Sequence, residues 1–340
     1  GLLVVPAVGV GAWNFGSQEG DYWGKRDQET TNAIVAEALR HGPALFDCAE
    51  MYQNGRAEES LGLALKAAGP ELAANAVVAT KIHPAHCSQL GKPGAVRAAL
   101  MASLARLQLP KVALYQVHWP LSCARTAPSA EETFREFKQL QAEGLIEHIG
   151  VSNFGVKNLT EALATGVTIA TNQVMYNPVS RAVEFEVMEL CQQHGIKVIC
   201  YSPLMQGLLT DKGVDISFDE MNPNRTRTRQ FSGAREQSRH GGPGAEPQLR
   251  AALTKLGEIA RREGVNVATL CMAWCLANPT VLTVIPGASS LEQLQGNLEA
   301  ATLELKPEVK AEMDVATEEL KQALGPHIDY YQAVTDQRSS

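Results

Sequence analysis

Short apolar runs recur along the chain and alternate with stretches in which apolar residues repeat at helical spacing. Because these runs are apolar at nearly every position, they predict parallel strands that are buried on both faces. The predicted strands lie near residues 8–11, 44–46, 77–81, 112–118, 146–151, 167–173, 196–201 and 281–285.

Between these strands, the apolar residues recur three or four positions apart, which is typical of amphipathic helices. The predicted helices cover residues 27–40, a stretch after Gly55, 93–107, 130–143, a stretch up to 163, 184–194, 248–262, 267–277, 291–300 and 308–323. Eight strands alternate with helices, and no break in composition divides the chain. The pattern predicts an α/β fold, a single (β/α)8 TIM barrel over residues 1–340.

The alternative architecture is an open, doubly wound sheet. That fold would be supported by a dinucleotide fingerprint G-x-G-x-x-G or by a domain boundary. Gly9 and Gly11 begin such a fingerprint, but position 14 is Asn and the third glycine is missing. The closed barrel is therefore the preferred prediction.

Two segments lie outside the repeating pattern: a long loop at residues 211–247 and a tail at residues 307–340. The loop is too long for a simple connector in a compact domain. Its basic residues would form either a solvated face or a flap that closes over an anionic ligand, such as the pyrophosphate of a cofactor. These basic residues are Lys212, Arg225, Arg227, Arg229, Arg235 and Arg239.

Composition limits the classes of partner. The formal net charge of the 340 residues is −7, which argues against nucleic acid, because phosphate backbones are held by clustered Lys and Arg. No apolar stretch is long enough to predict a membrane span. The seven cysteines are odd in number and include no C-x-x-C pair, so a reduced cytoplasmic protein is expected. The chain begins at Gly1, and a removed transit peptide would instead place the protein in an organelle.

Polar residues follow almost every predicted strand. In a barrel the carboxyl ends of all strands face one mouth, so these residues are expected to meet there. Each of them has a structural explanation when taken alone, but eight strand ends that all carry hydrogen-bonding groups favour a functional site. The set comprises Gly11 to Trp13, Asp47 with Tyr52, Lys81, His118, Ser152 with Asn153, Gln173, Tyr201 and Gly287.

Four of these residues, Asp47, Tyr52, Lys81 and His118, are suited to proton transfer. The ammonium of Lys81 is expected to lower the pKa of Tyr52, and Asp47 is expected to hold Lys81 in place. A neutral His118 would donate a hydrogen bond to a substrate carbonyl oxygen. The segment 83–87 carries two histidines and a cysteine, but no further ligand is spaced for a zinc site, so no metal is predicted.

Several motifs, in the correct order along nearly the whole chain, resemble those of the aldo-keto reductases. The segment from Asp47 to Gly55 resembles the family pattern D-x-A-x-x-Y-G, with Gln53 in place of the glycine. The other motifs are Thr80-Lys81, the segment 116–120 (QVHWP), 150–154 (GVSNF), 172–177 (NQVMYN), 201–204 (YSPL) and 285–288 (IPGA). The ordered set is far more specific than any one motif.

The resemblance implies a barrel that binds extended NADPH without a Rossmann fold and reduces aldehydes or ketones to alcohols. It implies a catalytic tetrad of Asp47, Tyr52, Lys81 and His118, with Tyr52 as the general acid. Ser152, Asn153 and Gln173 would hold the nicotinamide carboxamide, and Tyr201 would stack on the ring. The remaining contacts expected around the nicotinamide and the pyrophosphate are Ala12, Trp13, Asp47, Ser202, Leu204, Gly207, Leu208 and Lys212.

At the adenosine end the chain departs from many family members. Gly287 and Ala288 stand where those members have Lys-Ser, and Gln293 stands where they have an Arg that grips the 2′-phosphate. The chain resembles the branch with the motif I-P-G-A, in which Ser289, Gln293 and Asn297 would contact the adenosine. Gly296 replaces the Glu that is usual in that branch. NADPH remains the predicted cofactor.

Two other functions remain open. The resemblance extends to nicotinamide-binding regulatory subunits of membrane channels, which would show little turnover. A barrel lyase or isomerase could use the same acid and base without a nicotinamide. The substrate itself is open, although Trp13, Tyr22, Trp23 and Trp119 predict an aromatic pocket for a small molecule. The oligomeric state is also open.

Overall fold

The computed structural model describes residues 3–85, 92–124, 129–217, 220, 225, 229–233, 244–331 and 338–339. Its centre is a sheet of eight parallel strands that are hydrogen-bonded in chain order. The strands are β1 (Val10–Gly11), β2 (Ala44–Asp47), β3 (Ala76–Ile82), β4 (Val112–Val117), β5 (Ile146–Ser152), β6 (Thr171–Met175), β7 (Lys197–Tyr201) and β8 (Val281–Ile285).

The first and last strands meet and close the sheet into a barrel. The backbone N–H of Gly9 donates to the Val284 carbonyl at 2.8 Å, and that of Gly11 donates to the Pro286 carbonyl at 3.0 Å. This approach depends on Gly11, since a Cβ there would lie 2.9 Å from the Ile285 carbonyl oxygen. The predicted (β/α)8 barrel is confirmed, and the open sheet is wrong.

Helices connect the strands and cover the outside of the barrel. They are α1 (Gln28–Arg40), α2 (Arg56–Ala68), α3 (Pro70–Ala73), α4 (Ala95–Leu107), α5 (Ala130–Ala142), α6 (Val156–Leu163), α7 (Val187–Gln193), α8 (Glu246–Glu263), α9 (Val267–Leu276), α10 (Leu291–Glu299) and α11 (Pro307–Leu324). Among the described residues, no helix is long and apolar enough to cross a membrane.

The alternation of side chains along each strand separates two apolar layers. Residues such as Phe46 and Tyr115 pack outward beneath the helices in the main core. Their neighbours in the strands form a separate cluster inside the barrel, which consists of Leu45, Ala79, Leu114, Ile199 and Ile285. Because successive side chains point to opposite faces, the residue two positions after each of these lies one layer nearer the carboxyl end.

That next layer is where the polar residues begin. Asp47 follows Leu45 by two positions, Lys81 follows Ala79, and Tyr201 follows Ile199. The apolar cluster fills the barrel below them, so the open mouth lies only at the carboxyl ends of the strands. The hydrophobic pattern thus positions the polar site.

Two differences from the predicted elements concern a strand and a short helix. The strand predicted at 167–173 begins later, at Thr171, because pairing with β5 starts at Gly150 and Thr171. The short helix α3 was not predicted; Pro70 at its first turn begins it, since proline is well tolerated there.

Candidate active site

A cleft of about 1060 Å³ opens at the carboxyl ends of the strands. The loop after β2 and the start of α10 both contribute to its lining. Most residues predicted to contact a cofactor or substrate line it. These are Trp13, Asp47, Tyr52, His118, Ser152, Asn153, Gln173, Tyr201, Ser202, Leu204, Gly207, Lys212, Gly287, Ser289, Gln293 and Asn297.

Lys81 lies beneath the floor of this cleft and is fully buried. Its Nζ donates three hydrogen bonds: to Asp47 Oδ2 at 2.6 Å, to the Cys48 carbonyl at 2.8 Å and to Tyr52 Oη at 3.2 Å. An ammonium has three protons, so this geometry uses its full donor capacity. The charge is therefore held in one place between the carboxylate and the phenol.

Both carboxylate oxygens of Asp47 accept hydrogen bonds. Oδ2 accepts from the ammonium of Lys81, and Oδ1 accepts from the amide of Gln173 at 2.7 Å and from that of Gln116 at 3.3 Å. A buried ion pair is favourable only when further hydrogen bonds satisfy its partners, and the two amides supply them here. Residues of four strands, β2, β3, β4 and β6, contribute to this pair.

Tyr52 follows β2 in a short loop whose backbone conformation is unusual. Gln53, Asn54 and Gly55 all have positive φ, of 51°, 57° and 91°. The side chain of Gln53 fastens this loop, because its Nε2 donates to the Trp13 carbonyl at 2.8 Å. Non-glycine residues such as Gln53 and Asn54 rarely adopt this left-handed conformation, and backbone strain of this kind is concentrated at functional sites.

Burial raises the pKa of Tyr52 well above its usual value, and the nearby charge of Asp47 raises the pKa further. The direction is opposite to the lowering that was expected from Lys81. The reason is that desolvation of the phenol disfavours its anion, and this is the largest influence on the pKa. Tyr52 is thus protonated at neutral pH, and its oxygen accepts from Lys81, so its own proton is directed elsewhere.

His118 stands beside Tyr52 at the end of β4. Their ring centroids are 5.5 Å apart and nearly perpendicular. The backbone of His118 is fixed from two sides, since its N–H donates to the Ile82 carbonyl at 2.8 Å and its carbonyl accepts from Asn153 Nδ2 at 3.0 Å. The four residues of the predicted tetrad are therefore contiguous.

The wall beside the tetrad is a hydrogen-bonded chain of the residues predicted to hold a carboxamide. Ser152 Oγ donates to the Gln173 carbonyl at 2.9 Å, and Tyr201 Oη donates to Asn153 Oδ1 at 2.8 Å. Asn153 has a φ of 61°, a left-handed backbone conformation that Asn adopts more readily than most residues. This conformation sets the direction of its side-chain amide. These groups are fixed relative to His118 and Asp47.

The far end of the cleft is built from the loop after β8 and the first turn of α10. Ser289 donates its backbone N–H to Gln293 Oε1 at 2.7 Å, and Asn297 Nδ2 donates to the Gly287 carbonyl at 3.2 Å. Ser289 and Gln293 are exposed, whereas Asn297 is buried. The predicted adenosine contacts are thus adjacent to one another, on a more open surface than the tetrad.

Comparison with known proteins gives the family of this chain. The model of the Aldo/keto reductase family matches residues 7–318, which is nearly the whole sequence. The chain belongs to the aldo/keto reductase family. Its curated relatives include a chloroplastic pyridoxal reductase of Arabidopsis thaliana, 32% identical over 94% of this chain and 85% of that protein. A methylglyoxal reductase of Escherichia coli is 29% identical over 93% of this chain and 92% of that protein.

Solved structures agree with this assignment. An aldo/keto reductase of Klebsiella pneumoniae in complex with NADP and acetate has a TM-score of 0.69 and 28% identity, over 99% of this chain and 95% of that one. The glycerol dehydrogenase of Gluconobacter oxydans has a TM-score of 0.75 and 26% identity, over 92% and 91%. The resemblance drawn from the motifs is confirmed, and the chain is an oxidoreductase of this family.

Two predicted cofactor contacts of this aldo/keto reductase do not line the cleft. Ala12 and Leu208 are fully buried. The N–H of Ala12 donates to the Asp47 carbonyl at 2.9 Å, and that of Leu208 donates to the Met205 carbonyl at 3.2 Å. Both residues therefore support the wall of the cleft from behind, because their backbone donors are already used.

His83, Tyr331 and Arg338 are among the residues that line the cleft without having been predicted to do so. His83 comes two positions after Lys81 on the same side of the chain, a spacing that could have identified it. Tyr331 and Arg338 come from the tail, where no periodicity points to the site. Arg338 lies 3.8 Å above the ring of Trp119 and pairs with the buried Asp329 through Nε at 2.7 Å.

Part of the predicted basic loop can be located. Lys212 lines the cleft, and the guanidinium of Arg225 lies 4.1 Å from the ring centroid of Tyr22 and 4.7 Å from that of Trp23. Arg227, Arg235 and Arg239 lie outside the described residues, so the flap stays a prediction. His86 and Cys87 also lie outside them, and the described residues contain no group of three or more metal-ligating side chains.

Proposed function

We propose that this aldo/keto reductase reduces aldehydes or ketones to alcohols with NADPH. One observation carries the proposal: Lys81 Nζ lies 2.6 Å from Asp47 Oδ2 and 3.2 Å from Tyr52 Oη, in a buried site at the mouth of the cleft. This arrangement prepares a phenol to release a proton where a reduced carbonyl would need one.

Tyr52 is proposed as the general acid. Because its oxygen accepts from Lys81, its proton is the group available to a substrate oxygen. The neutral phenol is the stable form before reaction, since burial raises its pKa. As the proton leaves, the developing phenolate lies next to the buried ammonium of Lys81, which stabilises the negative charge.

His118 is proposed to orient the carbonyl. Its ring lies against that of Tyr52 at 5.5 Å, so both rings can approach one substrate oxygen. Two ring donors that converge on an oxygen fix the plane of the carbonyl and polarise it. Asp47 acts indirectly, because it keeps Lys81 charged and in place.

The residues present fit a nicotinamide cofactor. NADPH, when bound, supplies a hydride to the carbonyl carbon. The amides of Asn153 and Gln173 and the hydroxyl of Ser152 are suited to a carboxamide, and Tyr201 is suited to stacking on a flat ring. Ser202, Leu204 and Gly207 follow β7 and are suited to the pyrophosphate, while Ser289, Gln293 and Asn297 are suited to the adenosine. The cleft has a volume of about 1060 Å³ and is lined by both Tyr52 and Asn297, which suits a dinucleotide.

The substrate is proposed to be a small aldehyde or ketone. Trp13, Trp23, Trp119 and Tyr331 line the cleft with aromatic surface, and Tyr22 stacks on Trp13 with centroids 5.4 Å apart. The names of the pyridoxal and methylglyoxal reductases support a carbonyl substrate. The cytoplasmic location stays a prediction.

Cofactor consumption tests this proposal. The protein, NADPH and a panel of aromatic and aliphatic aldehydes are mixed, and the loss of reduced cofactor is followed by absorbance. We expect turnover that depends on both cofactor and aldehyde, and tighter binding of NADPH than of NADH in a fluorescence titration. Tight NADPH binding without turnover of any aldehyde would instead favour the regulatory-subunit alternative, and absence of NADPH binding would overturn both.

A further inference from the structure

The loop between β1 and α1 lies against the loop that follows β8. The carbonyl oxygens of Pro286, Ala288 and Ser289 accept hydrogen bonds from the Gly11 N–H at 3.0 Å, Asn14 Nδ2 at 3.0 Å and Arg26 Nη1 at 2.8 Å, respectively. Two segments that are far apart in the sequence are thereby joined, in order, along the edge of the cleft.

Arg26 is the charged member of this series. Its backbone N–H donates to the Ser17 carbonyl at 2.8 Å, and its side chain is partly buried. Within the described part of the chain the guanidinium donates to the Ser289 carbonyl, and its Nε is enclosed without a hydrogen-bond partner. A guanidinium carries five N–H groups in a planar fork, so donors remain for a ligand.

The turn to which Arg26 is bonded is well ordered. Gln293 Oε1 accepts from the Ser289 N–H at 2.7 Å, and Ser290 Oγ accepts from the Gln293 N–H at 3.2 Å. All three residues line the cleft, whereas Arg26 joins it through Ser289. A ligand group that projects from the cleft past Ser289 would therefore meet the guanidinium.

This turn has no positive side chain of its own. Residues 287–293 include no Lys or Arg, and Glu292 adds a negative charge to the lining. The long basic side chains in the described lining are Lys212, from the segment after β7, and Arg338, which is paired with Asp329. Arg26 is thus the cation that the fold brings to the turn.

We propose that Arg26 binds the 2′-phosphate of NADPH and so selects NADPH over NADH. The inference rests on the proposed function, because that function places the adenosine beside Ser289, Gln293 and Asn297. NADH lacks the 2′-phosphate, so a contact with this group discriminates between the two cofactors. A guanidinium suits the task, since its planar fork donates two parallel hydrogen bonds to a phosphate.

The bond to the Ser289 carbonyl gives this contact a defined position. Arg26 Nη1 is held at 2.8 Å from that oxygen before a cofactor binds, so less side-chain freedom is lost on binding. The selectivity for the cofactor would then come from the loop after β1 and not from the turn that contacts the adenosine.

The test measures the Kd for NADPH and for NADH by fluorescence titration. The variants are Arg26→Met, which removes the charge and all donors, Arg26→Gln, which removes the charge but keeps an amide donor for Ser289, and Arg26→Lys, which keeps the charge. Lys25→Met is the matched control, because Lys25 is the exposed neighbour and its loss changes the net charge equally. The Kd for NADH also monitors the integrity of each variant.

We expect Arg26→Met and Arg26→Gln to raise the Kd for NADPH by about ten- to a hundredfold, the range for a hydrogen bond to a charged group. The Kd for NADH should change less than about threefold, the lower end of the range for one neutral hydrogen bond. Arg26→Lys should recover part of the selectivity, and Lys25→Met should leave the ratio of the two Kd values within about twofold, because an exposed charge is screened.

Three results would overturn the inference. Equal weakening of both cofactors would show that Arg26 only supports the turn at Ser289, and an unchanged ratio in Arg26→Gln would show that it does not contact the phosphate. The same loss of selectivity in Lys25→Met would assign the effect to the general field of positive charge. Two neutral variants are used so that one that does not fold leaves the other to decide.

The unaltered protein separates failure of the inference from failure of the proposed function. Equal affinity for NADPH and NADH, with turnover of an aldehyde, would overturn the inference and leave carbonyl reduction intact. Binding of neither cofactor would overturn the proposed function, and the inference with it.

Discussion

The two ends of the cleft are built in different ways. At the tetrad, Lys81 and Asp47 are buried and every donor of the ammonium is used before any ligand binds. At the adenosine end, Gly287, Ser289 and Gln293 are exposed. The hydrogen bonds of Ser289 to Gln293 and of Asn297 to Gly287 are neutral and lie within one loop and one helical turn, and Arg26 also donates to the Ser289 carbonyl at 2.8 Å. One end is assembled from several buried strands, and the other mainly from one exposed segment.

The difference teaches where preorganisation is needed. Stabilising charge in a transition state requires groups that are already oriented and desolvated. Recognising an adenosine requires complementary contacts but no developing charge, so a more exposed and adaptable surface is sufficient. Variants at the two ends should therefore separate into effects on kcat and effects on cofactor affinity.

The largest effect is expected from Tyr52→Phe. Removal of the phenolic proton should lower kcat by about 100- to 10,000-fold, the usual contribution of a general acid, while the Kd for NADPH stays within about twofold. Steady-state kinetics and a fluorescence titration measure the two quantities. Retention of more than about a tenth of kcat would exclude Tyr52 as the main proton donor.

A large loss of stability is expected from Asp47→Ala. The variant would leave the Lys81 ammonium buried without its carboxylate, which costs about 3–5 kcal/mol in free energy of unfolding. The double variant Asp47→Ala/Lys81→Met should recover part of this loss, since no unpaired charge remains. Denaturant unfolding of both variants measures this, and strictly additive losses would contradict the coupling.

A pH-dependent effect is expected at Glu50. This residue lies between Asp47 and Tyr52, and its Oε1 accepts from the backbone N–H of His83 at 2.8 Å. Burial raises the pKa of Glu50 from 4.5 to about 7. The native state thus binds a proton that the unfolded state has lost between pH 4.5 and 7, and ionisation of Glu50 destabilises the fold increasingly as the pH rises through this window.

Glu50→Gln should remove that cost. Its free energy of unfolding should exceed that of the unaltered protein by up to about 3 kcal/mol above pH 7, and the difference should disappear toward pH 4.5. Unfolding at several pH values measures it. The exposed Glu59→Gln is the matched control and should show no such trend; the same trend in both variants would refute the assignment to Glu50.

The smallest effect is expected at the adenosine end. Gln293→Ala removes one neutral contact in an exposed turn, so KM for NADPH should rise by about two- to tenfold with little change in kcat. Gln295→Ala, an exposed residue of the same helix that does not line the cleft, is the control. A fall in kcat for Gln293→Ala would contradict the expectation that variants at this end affect only the affinity for the cofactor.

Most of the barrel was predictable because it depends on local patterns. Apolar runs such as 77–81 predict strands that are buried on both faces. The alternation of side chains within the strands places Lys81 and Asp47 one layer above the apolar cluster inside the barrel. The spacing of Asp47 and Tyr52, with Lys81 and His118 at other strand ends, was sufficient to expect them at one mouth. The structure brings these four residues together.

Other features depend on contacts between distant parts of the chain. The pKa of Tyr52 was predicted in the wrong direction, because the depth of its burial depends on elements that no single motif contains. Tyr331 and Arg338 enter the cleft only through the path of the tail, where Arg338 stacks on Trp119. The backbone N–H of Ala12 is likewise used by a partner that is remote in sequence, the carbonyl of Asp47.

The sequence by itself therefore determined the type of fold, the family and the four chemical groups at the mouth of the barrel, because periodicity and residue type act over short distances along the chain. The tertiary structure alone decided which of these groups are desolvated, which donors are already used, and that His83 stands beside His118. Desolvation and hydrogen-bond partnership are properties of the packed site, and they exist only after distant segments have met.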